Sequence, residues 1–430
     1  MHIIETRQIC RCAVLAFGIM AIAALAEQAE SLDASFVAAH SEARVARIVV
    51  TGNERTRSSV IVELAGISEG EKLAEVDCEK AKQNLLLSGI FSEVSLSAVI
   101  DESGDAVVTI GVKDKWTLIP VPSGSYGSGG WSAGLDIVEF NLFGLRKTLV
   151  VGGADSNLGP SGTIAYIDPR FLGADVTLQV YASYARSSEE ATYMDNSDFA
   201  DFTAATGSGG FSLAYPSDKT LYAQPRFTVR YRGLSEDDAE KYDQRTDYLV
   251  LVPGVDLIYD DERFTTYHKS GPSASLTYLH GFDISGGPQY DTVSGQADLK
   301  LDTFWDGLAD FGFVGSYGSE CFMLQSALSG VGYRTVPQGS SYAIDSAALY
   351  ASLDLPFVKA SWAVMTLGAF YEGGAYATGL DGQSVAFFHG PGLSYRLYLH
   401  NIALPAAGID MAYNIPAGLP VFSVNVGVSL

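Results

Sequence analysis

Apolar residues follow two different rhythms along this chain, and the change comes near residue 116. Before it, strand-like and helix-like stretches take turns. Arg47–Thr51 is β-branched and stops at Gly52-Asn53, which predicts a short strand. Val60, Ile61 and Leu64 repeat at helical spacing, and Gly66 closes that helix. Asp77 caps a second helix with an apolar face of Ala81, Leu85 and Leu86, and Gly89 is its left-handed stop. Phe91–Ile100 then alternates, with Val94, Leu96, Ala98 and Ile100 on one side. Ala106–Val112 alternates again after a turn at Ser103-Gly104. The order predicted for residues 44–115 is β-α-α-β-β.

From residue 116 to 430 the helical period vanishes and period two takes over. Val176, Leu178, Val180 and Ala182 face away from Thr177, Gln179, Tyr181 and Ser183. Phe227, Val229 and Tyr231 oppose Gln224, Arg226, Thr228, Arg230 and Arg232. Ala297, Leu299 and Leu301 oppose Asp298 and Lys300. Ala347, Leu349, Ala351 and Leu353 oppose Ala348, Tyr350, Ser352 and Asp354. Three arginines on one strand face suit a wet lumen, not lipid or a dry core. About sixteen such strands fit into 430 − 115 = 315 residues, roughly 20 each with a turn, as membrane-barrel spans require. Starts fall near Leu118, Trp131, Thr148, Ser161, Val176, Gly209, Tyr222, Tyr248, Gly271, Tyr290, Leu308, Asp345, Trp362, Val385, Pro405 and Val421. Connections alternate in length. Arg186–Ser208, Gly233–Asp247, Ser319–Ile344 and Glu372–Ser384 are long, while Asn141–Arg146, Asp168–Gly173 and Pro356–Ala360 are short. Long outer loops over short inner turns are the barrel asymmetry. The expected fold is therefore β-dominated: an antiparallel transmembrane β-barrel of about 16 strands over 116–430, preceded by one small α+β domain.

Composition narrows the function classes. Gly (45), Tyr (23) and Phe (21) make the chain heavy in turn formers and aromatics. The net charge is 27 − 50 = −23, which argues against nucleic acid as a partner. Residues 1–26 read as a signal peptide, with Arg7 and Arg11, an apolar Cys12–Ala24 and a small-x-small Ala24-Leu25-Ala26. Residues 27–43 read as a flexible lead-in. Beyond residue 26 no run approaches the ~18 apolar residues of a membrane helix. Cys78 and Cys321 fall in different predicted domains and read as unpaired rather than bridged, and no spacing resembles a zinc site. No nucleophile elbow, HExxH pair or Walker loop is read, so neither enzyme chemistry nor a cofactor is expected. The turn Asp260-Asp261-Glu262 has the oxygen ligands for Ca²⁺, but one acidic turn is a weak signal, and no metal is expected.

Two sets of motifs resemble known families. Ser88-Gly-Ile-Phe-Ser-Glu-Val94 and Val50-Thr51-Gly52-Asn53 resemble a POTRA (polypeptide-transport-associated) domain over 44–115. The barrel resembles that of the BamA/TamA superfamily of outer-membrane assembly factors. The likeness rests on Phe140-Asn141-Leu142-Phe143-Gly144, on Asp168-Pro169-Arg170-Phe171 and on Asp260-Asp261-Glu262-Arg263. It rests also on Tyr333-Arg334-Thr335-Val336, which stands where the family has Val-Arg-Gly-Phe/Tyr. Thr335 and Val336 depart from that motif. The end, Phe422, Val424, Val426, Val428 and Leu430 on one face, resembles a closing and targeting strand without its terminal aromatic.

The resemblance implies that Arg334 enters the lumen and pairs with an acidic residue on the thirteenth strand, where Phe370-Tyr-Glu372-Gly-Gly374 offers Glu372. The bland alternative is a solvated loop charge. It also implies that strands 1 and 16 meet at a weak seam. Strand 1 shows that weakness by itself, because Pro120 and Pro122 donate no ladder bond and Gly124, Gly127, Gly129 and Gly130 pack poorly. The alternative is a linker ahead of a smaller barrel. The implied location is the outer membrane of a Gram-negative-type bacterium, with the POTRA domain in the periplasm. The implied partners are unfolded outer-membrane or secreted polypeptides, outer-membrane lipid, and periplasmic chaperones or accessory subunits. A passive pore and a dedicated two-partner-type secretion pore stay open beside assembly.

Overall fold

The computed structural model of the chain describes residues 40–100, 103–127, 130–192, 198–216, 220–265, 267–319, 326–328, 330–336, 342–343, 345–378, 384–399 and 405–427. The leader 1–26, residues 27–39 of the lead-in, Gly129, Cys321, Val428 and Leu430 lie outside the described residues. There are two compact units. One holds Pro120–Ile137 and Val150–Leu430, the other the described part of Cys10–Ile119 together with Val138–Leu149.

The smaller unit contains strands β1 (Val45–Thr51), β2 (Phe91–Ile100) and β3 (Ala106–Asp114) in the order β1-β3-β2. β1 runs parallel to β3 and β2 antiparallel to it, so β1 and β2 are the sheet's two edges. Helices Ser58–Ala65 and Cys78–Leu87 complete the core. Asp77 accepts from the Lys80 N–H at the start of the second helix, and Gly66 ends the first at φ 65°. Ile61, Leu85, Ile90, Phe91 and Ile110 are fully buried, which joins helix and strand faces into one core.

The larger unit is a closed antiparallel barrel of sixteen strands. Its first half is β4 (Leu118–Gly127), β5 (Gly130–Leu142), β6 (Lys147–Ser156), β7 (Ser161–Asp168), β8 (Thr177–Thr192), β9 (Asp198–Ala214), β10 (Leu221–Leu234) and β11 (Asp247–Asp260). A short β12 (Arg263–Thr265) lies beside the ninth barrel strand, β13 (His268–Asp283). β14 (Tyr290–Asp302) and β15 (Leu308–Gly318) follow. After them come the two-residue strands β16 (Ser326–Ala327) and β17 (Tyr342–Ala343), which pair with each other. β18 (Ser346–Lys359), β19 (Ala363–Thr378), β20 (Ser384–Leu399), β21 (Pro405–Asn414) and β22 (Leu419–Val426) close the barrel back onto β4.

The barrel is the small unit turned inside out. Val180, Val229, Tyr231, Leu299, Leu301, Leu349 and Leu353 stand exposed on the outer face, while Gln179, Tyr181, Thr228, Arg232 and Tyr350 are buried on the inner one. Where the period-two sets were clean, the inward and outward faces follow them. The arginine face of β10 points inward, and two of its arginines meet partners there. Arg226 reaches both Asp256 oxygens at 3.3 Å, and Arg232 lies over the Phe202 ring at 5.5 Å.

Several loop expectations need correction. β8 and β9 have 16 and 17 residues and stay paired from Thr177↔Ala214 out to Thr192↔Asp198, so most of Arg186–Ser208 is a hairpin and not a loop. The sixth barrel strand starts eleven residues before Gly209. At ~3.3 Å per residue each strand runs roughly 50 Å, well past an apolar band of about 25 Å even when tilted. Beyond the lipid no side has to be apolar, so the alternation fades while the backbone ladder continues. Gly233–Asp247 contains a helix, Glu236–Lys241, which Ser235 caps by accepting from the Asp238 N–H. β19 continues to Thr378, so Glu372 lies inside a strand rather than at its end.

Candidate functional site

The segment after β15 turns back into the barrel. Tyr333, Thr335 and Val336 are buried there, in one cluster with Ala348 of β18, Tyr376 of β19 and Phe388 of β20. Gly332, at φ 91°, allows the approach, since a Cβ there would press on Val314, Ala348 and Tyr350. The Tyr333 hydroxyl donates to Ser346 Oγ at 2.8 Å.

Arg334 and Glu372 are brought together. Arg334 Nε donates to Glu372 Oε2 at 3.1 Å, and the Thr335 backbone N–H donates to Oε1 at 2.6 Å. The two side chains are 8% and 0% exposed, so the pair is desolvated and its loss is costly. The Arg334 guanidinium also stacks 3.6 Å from the Phe370 ring centroid. Its Nη1 lies 4.0 Å from Asp410 Oδ1, and Arg396 Nη2 donates to that same oxygen at 2.6 Å. Asn414, four residues along β21, donates to the Thr335 carbonyl at 3.2 Å. The loop is thus tied to β19 and also to β21, the strand next to β22. Thr335 is not among the residues with positive φ, and it serves Glu372 through its backbone, so this position does not require glycine. Val336 is buried in the apolar cluster.

Asp410, Arg396 and Asn414 were missed in sequence. They sit at inward positions of alternating strands, Arg396 among Ser394 and Tyr398, Asp410 and Asn414 with Ala412 between them. A charge at an inward position was the available signal.

The seam pairs β22 with β4 over four residue pairs among the described residues: Ser423↔Gly127, Val424↔Tyr126, Asn425↔Ser125 and Val426↔Gly124. Toward its start β4 carries Pro122 and Pro120, which have no N–H to donate. Phe422 and Val426 stand exposed on the outer face, and Phe422 meets Tyr126 at a ring distance of 5.9 Å. Val421 and Ser423 are buried on the inner face.

The chain was compared with known proteins. A family model described as "Surface antigen variable number repeat" (POTRA) matches residues 43–115. Outer membrane protein assembly factor BamA of Neorickettsia risticii (strain Illinois) is 26% identical over 180 residues. That is 42% of this chain but 24% of the relative, so the chain matches about a quarter of that protein's length. The crystal structure of BamA from Haemophilus ducreyi lacking POTRA domains 1–3 superposes with a TM-score of 0.68 at 14% identity, covering 90% of this chain and 84% of that one. Residues 43–115 thus match a POTRA model, and the chain shares the fold of the BamA structure. CdiB from Acinetobacter baumannii shares the fold more distantly, with a TM-score of 0.57 at 11% identity over 90% of this chain and 74% of that one.

The other motifs that carry the resemblance are turns. In Asn141–Arg146, Asn141 Oδ1 accepts from the Arg146 N–H at 2.9 Å, and Asn141 Nδ2 donates to Thr56 Oγ1 at 2.8 Å. Gly144, at φ 71°, accepts from the Arg57 N–H at 3.0 Å, and a Cβ there would run into the Arg55 carbonyl oxygen. In Asp168–Gly173, Asp168 Oδ1 accepts from the Arg170 N–H at 3.2 Å, and Arg170 Nη2 donates to the Gly173 carbonyl at 3.2 Å. Pro169 offers its carbonyl to Thr177 Oγ1, and the Phe171 N–H donates to the Val176 carbonyl at 2.9 Å. These residues build turns and converge on no shared site.

The acidic turn is satisfied by cations of the chain itself. Glu262 accepts from Lys300 Nζ at 2.6 Å and lies 3.6 Å from Lys269. Among the described residues no group of three or more His, Cys, Asp and Glu could hold a metal. Cys78 is a free, half-buried thiol, and burial first, then the Asp77 and Glu79 charges, push its pKa up, so it is a poor nucleophile. Gly66-Ile67-Ser68-Glu69-Gly70 does have nucleophile-elbow spacing, against the initial reading. It follows a helix end rather than linking strand to helix, and so is no elbow.

Proposed function

We propose that this protein inserts polypeptides into, or passes them across, the outer membrane, with its POTRA domain in the periplasm. One observation carries this reading: the barrel closes by pairing β22 with β4, a strand that carries two prolines, Pro120 and Pro122, with no N–H to donate. Unpaired backbone donors and acceptors at a strand edge are the chemistry by which an incoming strand is recognised, through main-chain hydrogen bonds with few side-chain demands. In this reading the β2 edge of the small sheet receives unfolded substrate, and β4 or β22 templates its first membrane strand. The energy comes from folding and lipid burial of the substrate, as no nucleotide chemistry is involved. Arg334 and its partners hold the lumen loop docked while the seam works.

The buried loop favours this over a passive pore, because it places Tyr333, Thr335 and Val336 where solute would flow. A crosslinker at Tyr126 should capture other barrel proteins during their biogenesis. Depletion should lower many outer-membrane barrels together. Loss of one secreted protein alone would move the reading to dedicated secretion, and altered solute uptake alone would move it to a channel.

A further inference from the structure

Four side chains of the smaller unit form an aromatic and cationic patch. Trp116 lies two residues before β4, and Phe143 sits in the turn between β5 and β6. They are 68% and 75% exposed. Phe143 is held outward in a left-handed backbone, φ 58°, an uncommon conformation for a bulky residue. The turn is fixed there by Arg57, whose backbone N–H donates to the Gly144 carbonyl at 3.0 Å and whose Nε donates to the Phe143 carbonyl at 3.2 Å. The Arg55 guanidinium lies 5.0 Å from the Trp116 ring centroid. Arg55 and Arg57 are both exposed.

The nearby acids do not cancel this charge equally. Asp114 is turned onto the backbone N–H groups of Glu54, Arg55 and Thr56 and onto Thr56 Oγ1. Glu139 accepts from the Thr117 hydroxyl and the Asn141 N–H. Glu54 is the exposed acid in the Arg55–Arg57 loop. The two guanidinium groups are thus left exposed beside the rings, with the Asp114 and Glu139 carboxylates occupied by neutral donors. In the barrel unit, connections also present exposed apolar side chains: Leu172, Phe304, Trp305 and Trp362. Exposed aromatic side chains of this kind suit the level of the lipid headgroups.

We propose that Trp116, Phe143, Arg55 and Arg57 form a binding site for anionic phospholipid headgroups of the periplasmic leaflet. The aromatic rings lie at the interface, and the two guanidinium groups take the phosphates. The proposal rests on the outer-membrane reading above. It gives the smaller unit a lipid anchor of its own.

The test uses the full chain in nanodiscs of brominated phosphatidylcholine, with or without brominated phosphatidylglycerol. The chain has four tryptophans, so wild-type emission minus that of Trp116→Phe reports Trp116 alone. The Trp116 signal should be quenched by bromine, by about twofold more with the anionic lipid, and Arg55→Gln/Arg57→Gln or high salt should erase that difference. A Phe143→Trp reporter in the Trp116→Phe background should behave likewise. If the other three tryptophans are quenched and both reporters are not, the patch faces water and the proposal falls. Equal quenching in both lipids would overturn the headgroup claim. If no tryptophan is quenched, the membrane reading itself fails.

Discussion

β22/β4 and β19/β20 are antiparallel ladders in one barrel, made of the same backbone bonds; among the described residues the first has four residue pairs and the second sixteen. The β19 side is the strongly held one, since Glu372 accepts from the lumen loop. The β4 side carries Pro120 and Pro122, which have no N–H to donate, and exposes Phe422 and Tyr126 outward. The ring therefore has an anchored side and a side whose strand is short of donors. Asp410 and Asn414 of β21 link the two, because both touch the loop and their strand pairs directly with β22.

The largest expected effect is on the strong side. Arg334→Ala leaves Glu372 buried with only the Thr335 N–H, which should cost loop docking about 3–5 kcal/mol. The barrel should still form, so heat-modifiable mobility should persist while added protease cuts the loop and function falls. The swap Arg334→Glu/Glu372→Arg should recover only part, because an arginine cannot accept from the Thr335 N–H now 2.6 Å from Oε1. Phe422→Asp comes next. A charge on the lipid face of β22 costs up to about 2–4 kcal/mol at mid-membrane, and lower barrel yield and thermal stability should show it. The opposite change sharpens the contrast. Pro120→Val/Pro122→Val restores two N–H groups to β4 and should stabilise the seam by about 0.5–1.5 kcal/mol for each new bond, raising the melting temperature while slowing assembly of substrates. Unchanged melting would mean that this stretch of β4 does not take part in closure.

The parts of this contrast were not equally legible in the sequence. Pro120 and Pro122 announce a weak edge because proline's missing donor is local chemistry. The lipid and lumen faces of β8, β10, β14 and β18 were readable because lipid forces one side to be apolar. That signal stops where lipid stops, so the outer ends of β8 and β9 were taken for loop. Arg334 and Glu372 could be matched only through family motifs, since 38 residues separate them and no periodicity connects them. Asp410 and Arg396 matched no motif, and the three-way sharing of charge depends on strand register, which was not fixed in advance.

The central claim is that the seam must open. Ser125 and Asn425 are directly opposed across it, at the spacing that antiparallel partners share with disulfides. Ser125→Cys/Asn425→Cys should therefore crosslink on oxidation in a background with Cys78 and Cys321 replaced by serine. The account predicts that the oxidised, still folded barrel fails to assemble or pass its substrates, and that a reductant restores activity. Full activity with the seam covalently closed would contradict it.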